Sequence, residues 1–380
     1  MEPIYFDHAA TTQVLPEAAQ AALTAMREEY GNPSSQYALG KRAAQALAAH
    51  REAVAQALGC QAGEVYFTSG GTEGDNWAIS LAAHLGRHRG KHIITTAVEH
   101  AAVLEPCKAL EAQGYQVTYL TPGPDGRVKV ADLEAALRPD TVLVSMMLVN
   151  NETGAIQPVK EAGQVLRRCR SQALLHTDAI QGFLKIPFTP KALGVDLLTV
   201  SGHKIGAMKG SGALYLRAGL RAVPLLRGGG QEKGLRSGTE PTPQIAALAA
   251  ACTLGKAALE DHQTYLTHLK TYALAAFQKA VPGLVVVAAG DAPHICAISL
   301  PGYPSQVVVR WLSDQGFCLS AGSACHRGQA SHVYAAMGLS KPVRDGMLRV
   351  SFGPENTQEE VDRLAQALGT ATQVLLPAGR

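Results

Sequence analysis

Apolar positions along the chain fall into two alternating patterns. From Pro16 to Met26 and from Arg42 to Leu58 the sequence reads as Ala-rich helix. A short run of β-formers follows, Val65–Thr68, and breaks at Ser69-Gly70-Gly71-Thr72-Glu73 into a helical pattern through Trp77, Ile79 and Leu81. Further apolar runs at His92–Thr95, Gln116–Leu120, Val142–Val149, Leu174–Asp178 and Leu197–Val200 predict strands, most of them separated by helical segments. Repeated strand-then-helix units imply a mostly parallel sheet with helices on both faces, and ligands at the carboxyl ends of its strands.

The texture changes near residue 250. One long helical stretch, Gln244–Lys279, precedes strand-like Gly283–Val287 and Cys296–Leu300, and Thr357–Leu375 closes the chain as a helix. These segments predict a smaller α+β domain over 251–380, which residues 1–14 join or use to cover the cleft; residues 15–250 form the larger body. A length of 380 residues accommodates both.

Composition narrows the class. With 47% hydrophobic and 17% charged residues the chain is neither disordered nor acidic-tailed. A net charge of +3 argues against nucleic acid or an anionic membrane as the main partner. Seven cysteines without a CxxC pair favour a reducing compartment over a disulfide framework or a structural zinc site. With no visible signal peptide and no apolar run of spanning length, a soluble cytoplasmic protein is expected.

Several short segments carry candidate chemistry. The turn Thr68–Glu73 reads as a phosphate cradle at a helix N-terminus or as an ordinary capped βα turn. Lys204 follows the run Leu197–Val200, where a desolvated lysine can form a Schiff base; Lys209 is its rival in a Gly-rich loop. Asp178 ends another strand, as the partner of a pyridine nitrogen or as a helix N-cap with Gln181 three residues on. Cys325 sits among Gly, Ser and Ala beside His326 and Arg327, a setting for an accessible thiolate. His100 either covers a cofactor ring or begins a helix, Asn150–Gly154 follows a strand as turn chemistry, and Arg349 offers a fork for a carboxylate.

Taken in order, Asp7–Thr12, Gly31–Ser35, Thr68–Glu73, Glu99-His100, Asn150–Gly154, Asp178–Gln181, Ser201–Lys204, Gly228–Thr239 and Ser320–Cys325 resemble the NifS/IscS-type cysteine desulfurases of the class-V aminotransferase family, fold-type I pyridoxal-phosphate enzymes. The resemblance runs from Tyr5 to about Leu364. It implies an α/β fold: a large cofactor domain with a mostly parallel seven-stranded sheet, and a smaller α+β domain. Pyridoxal 5'-phosphate would be carried covalently on Lys204, with Asp178 on the ring nitrogen, Gln181 on the ring oxygen and His100 over the ring. Gly71, Thr72, Ser201 and His203 would hold the phosphate, joined by Thr239 of the partner subunit, which makes the protein a homodimer with shared sites. Asn151 and Arg349 would bind the carboxylate of L-cysteine, with Asn151 also near the ring. Cys325 would take the sulfur as a persulfide and pass it to an acceptor such as an iron–sulfur scaffold or a thiolation enzyme. The sequence departs from the family pattern at Tyr37, at Ala207-Met208 and in a shorter stretch after Cys325. A selenocysteine lyase, or another class-V lyase or aminotransferase, is the alternative, sharing Lys204, Asp178 and His100 but relying less on Cys325.

Overall fold

The structure, a computed structural model, describes residues 3–288, 290–321 and 331–377. The chain opens with a two-residue strand, β1 (Ile4–Tyr5), then helices α1 (Pro16–Arg27) and α2 (Ala38–Leu58). Strand β2 (Val65–Thr68) leads into α3 (Gly71–Gly86), and β3 (His92–Thr96) into α4 (Ala101–Glu111). Strands β4 (Gln116–Leu120), β5 (Thr141–Ser145), β6 (Leu174–Asp178), β7 (Leu197–Ser201) and β8 (Gly212–Leu216) complete the main sheet.

That sheet has seven strands in the order β2-β8-β7-β6-β5-β3-β4. Only β8 runs against its neighbours. The α/β class and the mostly parallel seven-stranded sheet are therefore as expected. Its inner parallel strands are buried because helices cover both faces: every residue of β3, β5 and β7 is buried. Helix α3 lies closest. A Cβ on Gly74 would stand 2.5 Å from Thr199 Cγ2, so only glycine lets the helix touch β7 there.

Three differences from the sequence reading have physical causes. The run Val142–Val149 does not stay in the sheet: β5 ends at Ser145, and Met146–Val149 continue as buried loop into the cleft. The stretch Gln244–Lys279 divides into Thr242–Ala257 and Leu259–Ala280, broken at Ala258 with φ −96° and ψ 2°. Strand β8 follows a glycine-rich turn and went unassigned from sequence.

The remaining strands form a second body. β10 (Ile295–Ser299) pairs antiparallel with β9 (Val285–Val286) and with β12 (Met347–Ser351). Helices Leu259–Ala280 and Gln358–Val374 pack on it around Leu266, Phe277, Ile298, Leu348 and Leu364. Each such buried side chain contributes about 1.5–3 kcal/mol. The chain's start joins this body: β1 pairs in parallel with β11 (Phe317–Cys318), and Asp7 bridges to Ser351.

Candidate active site

The carboxyl ends of β6 and β7, the loop after β5 and the start of α3 converge on a cavity of about 260 Å³. Gly71, Thr72, His100, Asn151, Asp178, Gln181, Ser201, His203, Lys204 and Arg349 all line it. Thr239 stands apart, exposed on the loop after the short turn Glu232–Gly234. Cys325 lies outside the described residues. A larger cleft, about 870 Å³, opens at the opposite edge of the sheet beside Gly59 and Arg170. It holds none of the candidate residues, and its Arg217 is already paired with Asp196.

Lys204 closes a single 3-10 turn that begins as β7 ends. Its Nζ donates to the carbonyls of Ala9 at 2.7 Å and Ala10 at 2.6 Å. These carbonyls belong to a strap, residues 7–12, stitched across the lysine turn. Thr12 donates from N and Oγ1 to the His203 carbonyl and accepts from Gly206 N at 2.8 Å. The Gln181 amide also donates to Ala9 O, at 2.9 Å. The sequence motif Asp7–Thr12 marked this segment, but carbonyl acceptors carry no side-chain signature.

Asp178 is 5% exposed and accepts from Ile180 N at 2.9 Å in the turn that follows β6. Burial, reinforced by the Asp75 carboxylate, pushes its carboxyl up to about 8. Such a group holds a proton readily and offers a full charge to a cationic partner. His203 is pushed down to about 4 by burial and by Lys204 and Lys209, and is neutral at pH 7. His100 caps α4: its Nδ1 accepts from Ala102 N at 3.1 Å, which leaves the ring proton on Nε2.

The start of α3 is an anion cradle. Glu73, in its first turn, is drawn away to the Arg236 guanidinium at 2.8 and 3.0 Å and to the Ser69 hydroxyl at 2.6 Å. The Glu73 charge at the helix N-terminus is thus matched by Arg236, and the helix start faces Thr72, Ser201 and His203. A Cβ on Gly71 would fall 2.1 Å from Ile180 Cδ1, so a larger residue there would displace the Ile180 side chain.

Arg349, in β12, crosses from the second body and is 2% exposed. It donates to Asp7 Oδ1 at 2.8 Å, Ser320 Oγ at 3.2 Å and the Asn151 carbonyl at 2.9 Å. Ser320 in turn donates to Asp7 Oδ2 at 3.1 Å. The turn that carries Asn151 is built by Asn150, whose Oδ1 accepts from Glu152 N, Thr153 N and Thr153 Oγ1. Turn chemistry and site chemistry thus fall on neighbouring asparagines. Sequence reasoning missed Asp7 and Ser320 as partners of Arg349, and the polar groups Asp75 and His176 beneath Asp178.

The family model for aminotransferase class V matches residues 4–364. A cysteine desulfurase IscS from Methanosarcina thermophila is 40% identical over 390 residues, spanning 98% of this chain and 92% of that one. A cysteine desulfurase from Trichormus azollae is 41% identical over 374 residues, 97% of this chain and 92% of the other. The solved structure of a NifS-like protein superposes with a TM-score of 0.93 at 34% identity, covering 98% of this chain and 100% of that one.

Proposed function

The chain belongs to the class-V aminotransferase family, and we propose that it works there as a cysteine desulfurase, taking sulfur from L-cysteine and releasing L-alanine. The observation that carries this reading is one cavity holding a lysine, a buried carboxyl, an anion cradle and a forked cation. The two cysteine desulfurase relatives support the choice of reaction.

The donor set fits pyridoxal phosphate. A phosphate suits the α3 N-terminus with Gly71, Thr72, Ser201 and His203; a pyridine nitrogen suits buried Asp178; a phenolic oxygen suits the Gln181 amide. His100 is assigned to the ring face and Lys204 to the covalent link. When bound, the cofactor supplies an electron sink for the substrate's carbon skeleton. The protein's own groups do the rest. Asp178 keeps a proton on the ring nitrogen. Neutral His203 donates to the phosphate without adding charge. The strap carbonyls hold the Lys204 ammonium, by donation from it, until it is needed. Arg349 and Asn151 orient the substrate carboxylate. Cys325 then bonds to the substrate sulfur as the carbon–sulfur bond breaks; the electron pair returns to the carbon skeleton, which gains a proton and leaves as alanine.

The same reading includes a homodimer in which Thr239 of the partner subunit reaches the phosphate, and a sulfur acceptor such as an iron–sulfur scaffold or a thiolation enzyme. It also includes a cytoplasmic location; among the described residues no helix is long and apolar enough to cross a membrane. The division into residues 15–250 and 1–14 with 251–380 belongs to it too, supported by Ile4 and Phe6 sharing the core of the second body.

Alanine release from L-cysteine, with pyridoxal phosphate and a reductant supplied, tests the function. Turnover is expected in the native chain and background in Lys204→Ala, which also loses the bound chromophore on gel filtration. Cys325→Ser is expected to keep the chromophore and lose persulfide; undiminished turnover in that variant would sink the role given to Cys325.

A further inference from the structure

Beneath Asp178 lies a second carboxyl that the reaction does not use. Asp75, on α3, is 0% exposed, and neither of its oxygens has a partner at full hydrogen-bond geometry among the described residues. Burying an unpartnered carboxyl is unfavourable, so a group left this way needs a reason.

The neighbours supply one. His176 and Asp178 share a face of β6, two residues apart, and Asp178 is paired in register with Thr199 of β7. Gly74 brings α3 down onto Thr199, which carries Asp75 to the same patch. His176 Nε2 stands 3.5 Å from Asp75 Oδ1 and 3.2 Å from Thr199 Oγ1, while its Nδ1 meets Ser145 Oγ at 2.8 Å. Ser145 can donate to Nδ1, which leaves the ring proton on Nε2, aimed at Thr199 and Asp75.

We propose that Asp75 is a positioning residue for Asp178: acting through the His176–Thr199 patch, its carboxyl sets how tightly Asp178 holds a proton on the ring nitrogen of the cofactor. The inference rests on the reading of Asp178 as that nitrogen's partner. The charged and titratable groups facing the patch are His176 and Asp178 from β6, Glu99 from the loop after β3, and Lys204 after β7. Glu99 is held by Thr96 Oγ1 and Met147 N, both at 2.8 Å. Burial drives the proton onto Asp75, whose carboxyl rises to about 7, offset in part by the Thr199 hydroxyl. Burial also keeps His176 neutral, pushing it down to about 4. Above that value Asp75 is ionised and sits behind Asp178 as a like charge, strengthening its hold on a proton.

The test uses the holoenzyme loaded with pyridoxal phosphate labelled with ¹⁵N in the ring, its nitrogen shift followed against pH. In Asp75→Asn the midpoint at which the ring nitrogen loses its proton is expected to fall by about one pH unit. Asp75→Ser, smaller but equally uncharged, should move it the same way. Asp178→Asn is the control. If that variant leaves the nitrogen shift unchanged, both the reading of Asp178 and this inference fail; if it moves the shift and neither Asp75 variant does, only the inference fails. Melting of the cofactor-free chain gives an independent readout. Relief of a buried charge makes Asp75→Asn melt above the native chain at pH 8, with the margin closing by pH 5. A variant that melts lower at both values marks Asp75 as a structural anchor instead and overturns the inference.

Discussion

The two ends of the cavity handle buried charge in opposite ways. At the Arg349 end a buried cation is answered by a carboxylate, a hydroxyl and a carbonyl at its two terminal nitrogens, all within 3.2 Å. At the Asp178 end three buried acids, Asp75, Glu99 and Asp178, crowd together with all three carboxyls raised by burial. The first arrangement fixes geometry, as suits a group that must present a fork at one angle. The second holds unspent affinity for a cation, which is what the proposed seat of a protonated ring requires.

Removing the cation tests the contrast most severely. Arg349→Ala leaves Asp7 and Ser320 without their partner, and breaking a buried pair costs about 3–5 kcal/mol. The same change is expected to raise KM for cysteine about ten- to a hundredfold, the worth of a charged hydrogen bond. Melting and steady-state kinetics check both effects; native stability in this variant would mean that the end is not built around its charge.

A pH series on the cofactor-free chain probes the other end. Asp75 and Asp178 have folded values near 7 and 8, raised from an ordinary 3.8. The folded state therefore binds more protons than the unfolded one between those limits. The contribution of these two groups to stability is greatest below the ordinary value and falls as pH rises, levelling off above about pH 8. Chemical denaturation of the native chain against Asp75→Asn from pH 5 to pH 9 measures the Asp75 share, and parallel profiles would erase the contrast. The smallest effect belongs to Ser320→Ala, which removes the Ser320 hydroxyl's bonds to Asp7 and from Arg349 while leaving the Arg349–Asp7 pair. A loss of about 1 kcal/mol in melting is expected, with cofactor binding unchanged.

Legibility from sequence followed the physics of each element. Val65–Thr68, Gln116–Leu120 and Leu174–Asp178 were readable to the residue because apolar runs end abruptly at turn formers. The break at Ala258 was not, since no glycine or proline marks it. The site residues at strand ends were readable because a polar side chain closing a buried strand is out of place unless it has work there. Asp75 was hidden for the opposite reason: one aspartate in a helix reads as a solvated face, and only the packing of α3 at Gly74 turns it inward. The acceptors at Ala9 and Ala10 were hidden because a carbonyl belongs to every residue. Cys325, the most suggestive residue in the sequence, is placed by chemistry alone.

The strap at the chain's beginning has a consequence for biosynthesis. Ile4 and Tyr5 pair with Phe317 and Cys318, Asp7 contacts Arg349, and Ala9 and Ala10 receive Lys204. Residues 4–10 thus wait for Phe317, Cys318 and Arg349 to be made before they find all their partners. The seven-stranded sheet is complete once Leu216 has been made, yet the strap over its lysine turn still lacks its anchors at Phe317, Cys318 and Arg349. Translation order itself keeps the pocket unfinished until Arg349 has been made.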